Sequence, residues 1–381
     1  VVAVLTDKQR EAGWTIVKLG DICAFVAGSA FPQKEQGKVS GDYPFAKVKD
    51  LQSAAGLSWW NIDNWIEESQ LKTLKSKIIP VKSIVFAKIG EGLKRERFAM
   101  SSIPMCIDNN LMAAVPSTAV NNIWLYYKFK TLNISSLVAG SALPYLRVQD
   151  LKDLDISLPP LEEQERIAGI LGSLDDKIEA NTRLIQTLDS LGEAVVRKYL
   201  KSVQKTKKLI DIAHIVMGQS PKGETLNTEG SGVLFFQGKK DFGFRYPTPR
   251  TYTTAATRMA EPLDILFSVR APIGALNRSV ESCCVGRGLA AIRSSCGQEN
   301  TLFYTLKTNP NLWEKFEGEG TIFSAINKKG LSELDIPFSE TAISNGVEDF
   351  LTSVEQEIFS LEQENLQLAE TRDALIKRLI G

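Results

Sequence analysis

The sequence predicts an α+β fold built by internal duplication: two mixed α/β domains, each followed by a long helix, with the helices paired as an antiparallel coiled coil in a pseudo-twofold arrangement. Three observations carry this. Between Leu161 and Leu200, alternating steps of four and three residues pick out Ile167, Leu171, Leu174, Ile178, Asn181, Ile185, Leu188, Gly192, Val195 and Tyr199, a narrow apolar seam on one helix. The seam recurs 180 residues later as Val347, Leu351, Val354, Ile358, Leu361, Asn365, Leu368, Arg372, Leu375 and Leu379. The segments ahead of the helices also echo one another, dividing the chain into domain 1–160, helix 161–200, domain 201–340 and helix 341–381.

Polar seam residues select the direction of pairing. A parallel pair in register would set Asn181 against Leu361 and Ile185 against Asn365, burying each amide beside an aliphatic side chain. An antiparallel pair whose facing positions sum to 546 brings Asn181 to Asn365, Ile167 to Leu379, Ile178 to Leu368, Leu188 to Ile358 and Tyr199 to Val347. The two amides can then bond one another and fix the register. Gly192 against Val354 and Leu174 against Arg372 are the imperfect layers. Packing on its own domain would explain either seam alone; two matched seams favour a pair.

The 381 residues, 43% hydrophobic and 24% charged, suffice for sizeable cores in two or more domains. Cys23, Cys106, Cys283, Cys284 and Cys296 form no CxxC pair, and no charge-free apolar run reaches membrane-spanning length. The opening VVAVLTDK is short for a secretory signal, so a cytoplasmic protein without a membrane partner is expected. Net charge is zero but unevenly spread: residues 1–160 and 201–340 are each net +4, while 161–200 and 341–381 are net −3 and −5. The basic surplus sits in the globular domains, where it could face phosphates, although surpluses this small are common on ordinary surfaces.

In chain order, WTIVKLGDICA (14–24) reads as an entry strand or short turn and is echoed by KLIDIA (208–213). GDYPFAKVKDLQ (41–52) leads through Pro44 and Phe45 to Lys47 and Lys49; GVLFFQGKKDF (232–242) answers with Gln237, Lys239 and Lys240. IIPVKSIVFAKIGEGLK (78–94) reads as a buried strand ending in a basic turn with Lys88, Gly90 and Gly92, and EPLDILFSVRAPIGALN (261–277) repeats it with Arg270 and Gly274. The echo continues through MCIDNNLMAAVPS (105–117) and CCVGRGLAAIRSS (283–295), then WLYYKF (124–129) and LFYTLK (302–307). Finally AGSALPYLRVQDLKDLDISLPP (139–160) matches EGTIFSAINKKGLSELDIPFSE (319–340), sharing Leu-Asp-Ile and a proline. Alternating β-branched runs between glycine and proline turns make each domain a mixed unit with several strands. Pro159 and Pro160 followed by Glu162, Glu163 and Glu165 open the first helix and Arg197 and Lys198 close it, as the macrodipole favours. Ser344 is expected to cap the second helix ahead of Glu348 and Asp349, with Lys377 and Arg378 at its end. Residues 201–208, KSVQKTKK, link the repeats.

The stretch LDISLPPLEEQERIAGILGSLDDKIEANTRLI, residues 154–185, resembles the helical spacer junction of the specificity (S) subunit of type I restriction-modification systems. The resemblance covers essentially the whole chain: two target-recognition domains, each followed by a spacer helix. It implies an antiparallel coiled coil holding the recognition domains apart, and a bipartite double-stranded DNA target with one half read by each domain. It implies as partners two methyltransferase (M) subunits, with translocase-nuclease (R) subunits in the full restriction enzyme. The second junction, LDIPFSETAISNGVEDFL, keeps Pro337 and the seam but lacks the Pro-Pro-Leu and Glu-Gln of the first, a departure from the family pattern that bears on contacts with the second M subunit there. Independently, a helix of this length is roughly 58 Å long at ~1.5 Å per residue. Duplex DNA advances about 34 Å per turn, so domains held on such a rod could read separated major-groove segments.

Arginine and lysine donate to guanine, and asparagine or glutamine pairs with adenine, so polar side chains in basic loops are the candidates for DNA contact. In the first domain these are Lys47, Lys49, Lys88, Lys94, Arg95, Tyr145 and Arg147; in the second, Gln237, Lys239, Lys240, Arg270, Arg287, Ser324, Asn327, Lys328 and Lys329. Lys328 and Lys329 suit phosphates better than bases. Taken singly, each is more commonly a solvated surface charge; recurrence at matched repeat positions raises the group above that.

Catalytic signals are few. His214 is the single histidine, a structural role suits it better than a triad base, and scattered cysteines do not make a zinc site. No GxxxxGK[ST] loop and no Asn-Pro-Pro-aromatic tetrapeptide occur, so neither a nucleotide motor nor an amino-methyltransferase centre is expected, and no cofactor. Gly286 and Gly288 in VGRGLAA imitate part of a dinucleotide fingerprint and read as a tight turn, and Asp153 with Asp155 read as capping or solvated groups rather than metal ligands. A non-catalytic DNA-specificity subunit therefore leads. A protein-only coiled-coil scaffold explains the seams but not the basic turns, and a self-sufficient methyltransferase or nuclease fits least.

Overall fold

The structure, a computed structural model, describes residues 4–52, 58–59, 62–140, 143–316 and 325–381. It divides into two units, Val1–Asn181 with Glu364–Gly381 and Thr182–Gln363, each holding one globular domain and a part of each long helix.

The recurring Leu-Asp-Ile closes each globular domain onto its own beginning. In the first, Thr15–Lys18 pairs antiparallel with Asp155–Leu158, Leu19 N–H donates to the Leu154 carbonyl at 2.9 Å, and Lys18 Nζ lies 2.7 Å from Asp155. In the second, Thr206–Lys208 pairs with Asp335–Pro337, Leu209 N–H donates to Leu334 at 3.0 Å, and Lys208 Nζ lies 2.6 Å from Asp335. Alternation along the strand buries Ile156 and Ile336 while the aspartates meet the lysines outside.

Each domain then builds two sheets. The first has a five-stranded sheet in the order Cys23–Ala27, Leu111–Pro116, Ile84–Ala87, Phe98–Ser101, Ser58–Trp59, and a three-stranded one in the order Trp65–Ile66, Tyr43–Ala46, Cys106–Ile107. The second repeats the frame, with Ala213–Met217, Leu289–Ser294, Ile265–Ser268 and Leu276–Arg278 in one sheet. Its other sheet contains Val233–Phe236 beside Cys283–Val285. All four residues of Ile84–Ala87 and of Ile265–Ser268 are buried, as continuous rather than alternating runs require.

A helix lies under each large sheet. Asn122–Thr131 has no polar face, since Trp124, Leu125, Tyr126, Tyr127, Lys128 and Phe129 are all buried, and the Asn121 side chain caps it by accepting from Ile123 and Trp124 N–H. Glu299–Thr308 is its counterpart, burying Leu302, Phe303, Tyr304 and Leu306.

The first long helix spans Leu161–Leu200 and the second Val347–Leu379. Within the first unit their pairing is antiparallel: Asn181 Nδ2 donates to Asn365 Oδ1 at 3.0 Å and to Glu364 Oε2 at 2.7 Å, while Arg372 donates to Asp175 at 2.5 Å. Within the second, Ile185, Val354, Ile358 and Leu361 form a buried cluster joined by Leu188. The seam widens where the helices meet a globular core. Ile376 and Ile380 are buried more deeply than Leu375 and Leu379, and Val196 is fully buried beside half-buried Val195.

Both imperfect layers have a use. Arg372 turns past Leu174 to Asp175, and Gly192 makes room for a ring: a Cβ there would stand 2.5 Å from Tyr304 Cζ. The expected Ser344 cap is not formed. Ser344 ends a separate short helix, Thr341–Ser344, its hydroxyl donates to the Thr341 carbonyl, and Gly346, at φ +71°, turns the chain into the long helix.

The junction sequences bolt each spacer to its domain. Gln164 of the Leu-Glu-Glu-Gln stretch is buried, accepts from Asn121 N–H at 2.9 Å and donates to the Pro159 carbonyl at 2.9 Å. The second junction has no such glutamine. There Glu348 accepts from Asn300 N–H at 2.9 Å, Thr301 N–H at 2.8 Å and the Thr301 hydroxyl at 2.6 Å, capping the Glu299–Thr308 helix from outside.

Candidate nucleic-acid interface

The sequence-selected residues stand on one backbone frame that occurs twice. In the first unit the Tyr43–Ala46 strand runs parallel to Cys106–Ile107, and Asp108 N–H donates to the Ala46 carbonyl at 2.9 Å. The turn that follows is closed by Leu111 N–H on the Asp108 carbonyl at 3.0 Å, and Lys88 N–H donates to the Asn110 carbonyl at 2.8 Å. The second unit repeats every bond. Gly286 N–H donates to Phe236 at 2.8 Å, Leu289 N–H to Gly286 at 2.9 Å, and Val269 N–H to Gly288 at 3.0 Å.

The loop before the long helix joins the same edge. Leu146 N–H donates to Lys88 at 2.9 Å and Ile326 N–H to Val269 at 3.0 Å, with bridges Ile89 to Tyr145 and Arg270 to Ala325. A glycine permits the close crossing in both copies: a Cβ on Gly28 would lie 2.0 Å from the Asp108 carbonyl oxygen, and one on Gly218 2.1 Å from that of Gly286. Lys47, Lys88 and Tyr145 therefore share one edge of the first unit, and Gln237, Arg270 and Arg287 the matching edge of the second.

Local chemistry holds these residues in place. Asp50 Oδ2 accepts from Lys47 N–H, and Asp241 Oδ2 from Gln237 N–H, both at 2.7 Å, which fixes the turn after each strand. Burial is the main cause raising the Asp50 carboxyl pKa, opposed by that backbone hydrogen bond and by Lys49 and Lys47.

The two edges differ in how much of their charge is already neutralised. In the first, Lys47 Nζ donates to Gln36 Oε1 at 2.8 Å, Lys49 is paired with Asp63 at 2.7 Å and Lys94 with Glu91 at 2.7 Å. Arg95 is exposed, and Arg147 lies 6.0 Å from the Tyr145 ring at the start of the Val148–Lys152 helix. In the second unit Gln237, Lys239, Lys240, Arg270 and Arg287 line one open cleft of about 830 Å³. All five are exposed, and no acidic side chain among the described residues pairs with its four cations.

Three candidates stand apart from that cleft's lining. Asn327 accepts from Gly330 N–H at 2.8 Å and so caps the Lys328–Ser332 helix, leaving its oxygen engaged by backbone. Lys328 is exposed on that helix, and Lys329 lies 3.9 Å from Glu333. Ser324 lies outside the described residues. An uncharged side chain holds the position of Arg287 in the first unit: aligning MCIDNNLM with CCVGRGLA places exposed Asn109 opposite it.

Among the described residues, no cluster of three or more His, Cys, Asp or Glu side chains is placed to hold a metal ion, and no helix is long and apolar enough to cross a membrane. Burial pushes the Cys23 and Cys106 thiols up to about 12 and Cys283 up to about 11, which keeps them protonated and poor nucleophiles.

Comparison with known proteins agrees with this frame. Residues 11–190 match the family model described as the type I restriction modification DNA specificity domain. A Methanocaldococcus jannaschii protein described as a type I restriction enzyme specificity subunit, MjaX, is 26% identical over 98% of this chain and 95% of its own length. The MjaIX specificity subunit of the same organism is 30% identical over 53% of this chain and 47% of its own. The crystal structure of a type I restriction-modification system S subunit from M. genitalium, 16% identical, superposes with a TM-score of 0.61 over 100% of this chain and 98% of that one, which shows a shared fold. The matched domain, the relative that spans nearly the whole chain and the twice-built frame agree: residues 11–190 carry a type I restriction modification DNA specificity domain, and the chain over nearly its whole length is similar to a type I restriction enzyme specificity subunit.

Proposed function

We propose that this chain supplies DNA sequence specificity without catalysing a reaction itself. Each globular domain, bounded at 1–160 and 201–340, reads one half of a bipartite duplex target; the long helices set the gap and dock two methyltransferase subunits, with translocase-nuclease subunits completing the restriction enzyme. The observation that supports this most is the repeated edge: one backbone frame, held by the same hydrogen bonds in both units, presents different polar side chains. Fixed backbone with variable side chains is what two unequal half-sites require, because bases are told apart by side-chain donors and acceptors in the major groove. The open cleft of the second unit suits phosphates at its lysines and base edges at Arg270, Arg287 and Gln237. The protein-only scaffold reading is not favoured, since the matched domain is a DNA specificity domain.

The test is co-expression of this chain with its cognate methyltransferase subunit in a methylation-free host, followed by genome-wide mapping of methylated adenines. A single split motif, lost when this chain is omitted, is the expected result. A stable complex without any motif would refute the reading. Removing one heptad from each long helix should change the gap and leave both half-sites intact.

A further inference from the structure

The same turn of the repeated frame carries Asn109 in the first unit and Arg287 in the second. We propose that this turn is a base-reading position in both recognition domains, Asn109 taking an adenine of one half-site and Arg287 a guanine of the other. The proposal rests on the DNA-specificity reading above and deepens it.

Equivalence of the two positions is geometric. Each is the middle residue of a three-residue turn, 108–110 or 286–288, whose first residue is bonded to the strand beside it and whose last accepts from the strand behind it. Both side chains are exposed, and neither has a hydrogen-bonding or ion-pair partner among the described residues. The backbone beneath them is rigid. Asp108 Oδ1 accepts from Asn110 N–H at 2.9 Å in the first turn. In the second, Ser220 Oγ accepts from Arg287 N–H at 3.3 Å, and Gly288 packs so tightly that a Cβ would stand 2.4 Å from the Gln237 carbonyl oxygen. A polar side chain fixed at its root and unengaged at its tip is prepared for an external partner at small entropic cost.

The two residue types then set the partner. A guanidinium offers two parallel donors that match guanine O6 and N7, while a carboxamide offers one donor and one acceptor that match adenine N7 and N6. Neighbours on the same edge support the assignment. Lys239 and Lys240 line the same cleft as Arg287 and suit phosphates, so the turn is left to face a base.

The full chain, co-expressed with its methyltransferase subunit, should be compared with R287N and N109R by mapping methylated adenines. R287N should convert one G·C pair of a single half-site to A·T, N109R should convert one A·T pair of the other half-site to G·C, and the gap should not change. Discrimination at each switched position should be roughly 10- to 100-fold. Should a variant fail to assemble, the unaltered complex is measured by fluorescence anisotropy on duplexes in which 7-deazaguanine replaces each guanine in turn. One guanine whose N7 removal weakens binding by roughly 10-fold or more is expected, with R287A indifferent to it. Unchanged half-sites, no single sensitive guanine, or an R287N that weakens every sequence alike would each overturn the proposal, the last by making Arg287 a phosphate contact. Absence of any chain-dependent motif with the unaltered protein would overturn the specificity reading together with it, and is thereby distinguishable.

Discussion

Replacing glycine by alanine inside a long helix normally stabilises it by about 1 kcal/mol, because glycine loses more backbone freedom on folding. The first long helix holds three glycines, and the structure gives them different signs. A Cβ on exposed Gly169 would meet nothing within 4 Å, and one on Gly172 would rest 3.8 Å from Ile123, an ordinary contact. Gly169→Ala and Gly172→Ala should each therefore gain up to about 1 kcal/mol. At Gly192 the Cβ would stand 2.5 Å from Tyr304 Cζ and 2.7 Å from its hydroxyl oxygen. That ring cannot step aside freely, since its hydroxyl donates to Glu355 at 2.8 Å and accepts from Arg245 at 3.1 Å. Overpacking costs about 1–3 kcal/mol, and weakening a hydrogen bond to a buried charge about 1.5–3 more. Set against the helical gain, Gly192→Ala should lose about 1.5–5 kcal/mol. Urea denaturation of the purified chain, followed by circular dichroism at 222 nm, separates the three variants. A Gly192→Ala protein as stable as Gly169→Ala would refute the reasoning. If the ring is the cause, the substitution should become stabilising in a Tyr304→Ala background.

Other perturbations follow from the same geometry. Glu348→Ala leaves the Asn300 and Thr301 N–H groups buried without an acceptor, and should cost about 2–4 kcal/mol, with Glu348→Gln between it and the unaltered chain in a thermal melt. Burial pushes the Glu362 carboxyl from 4.5 up to about 7, so between those values the native state holds a proton that the unfolded chain has lost. Stability should accordingly fall as pH rises from 4.5 to 7, by about 2–3 kcal/mol, and Glu362→Gln should flatten that slope; an unchanged slope would exclude Glu362 as its source. Lys239→Ala with Lys240→Ala should weaken cognate and unrelated DNA alike and lower the salt dependence of binding by up to about two phosphate contacts, read from log Kd against log salt. A loss confined to the cognate site would mean that these lysines read bases.

What could be read from the sequence was whatever a period or a repeat encodes. The seam reports its own partner because a buried amide needs another polar group, and only the antiparallel register brings Asn181 to Asn365. The matched Leu-Asp-Ile segments were visible as repeats, but their pairing with Thr15–Lys18 and Thr206–Lys208 was not, since strand partners are chosen by tertiary packing. Gly192 looked like a defect in a two-helix seam. Its reason sits on a third element, the Glu299–Thr308 helix, which no heptad pattern represents. Lys49 and Lys94 read as available cations, and their ion pairs with Asp63 and Glu91 depend on loop paths that composition does not encode. Asn109 carries no charge, so only its place in the repeat, opposite Arg287, marks it in the sequence.

The carboxylates at the domain–helix joints show how duplication constrains a fold. Each unit buries a tyrosine hydroxyl against an acid of a long helix, Tyr127 on Asp175 at 2.6 Å and Tyr304 on Glu355 at 2.8 Å, and the two acids are 180 residues apart. A buried carboxylate also needs a cation, and here the copies diverge. Asp175 is met by Arg372 of the second long helix, whose repeat-equivalent on the first helix is Gly192 and carries no charge. In the second unit the cations come from the globular domain instead: Arg245 lies 2.5 Å from Asp189 and 3.3 Å from Glu355, and Arg278 lies 3.1 Å from Glu355. Arg245 and Arg278 both pack against Phe303, at 4.4 and 4.5 Å from its ring centroid. Stripping a buried acid of its partner costs about 3–5 kcal/mol. The two domains are therefore not equally exchangeable. A foreign domain in place of the first leaves Asp175 its arginine, because both sit on the long helices. A foreign domain in place of the second must bring its own guanidinium groups to Asp189 and Glu355, or the helices beneath it lose the charges that balance them.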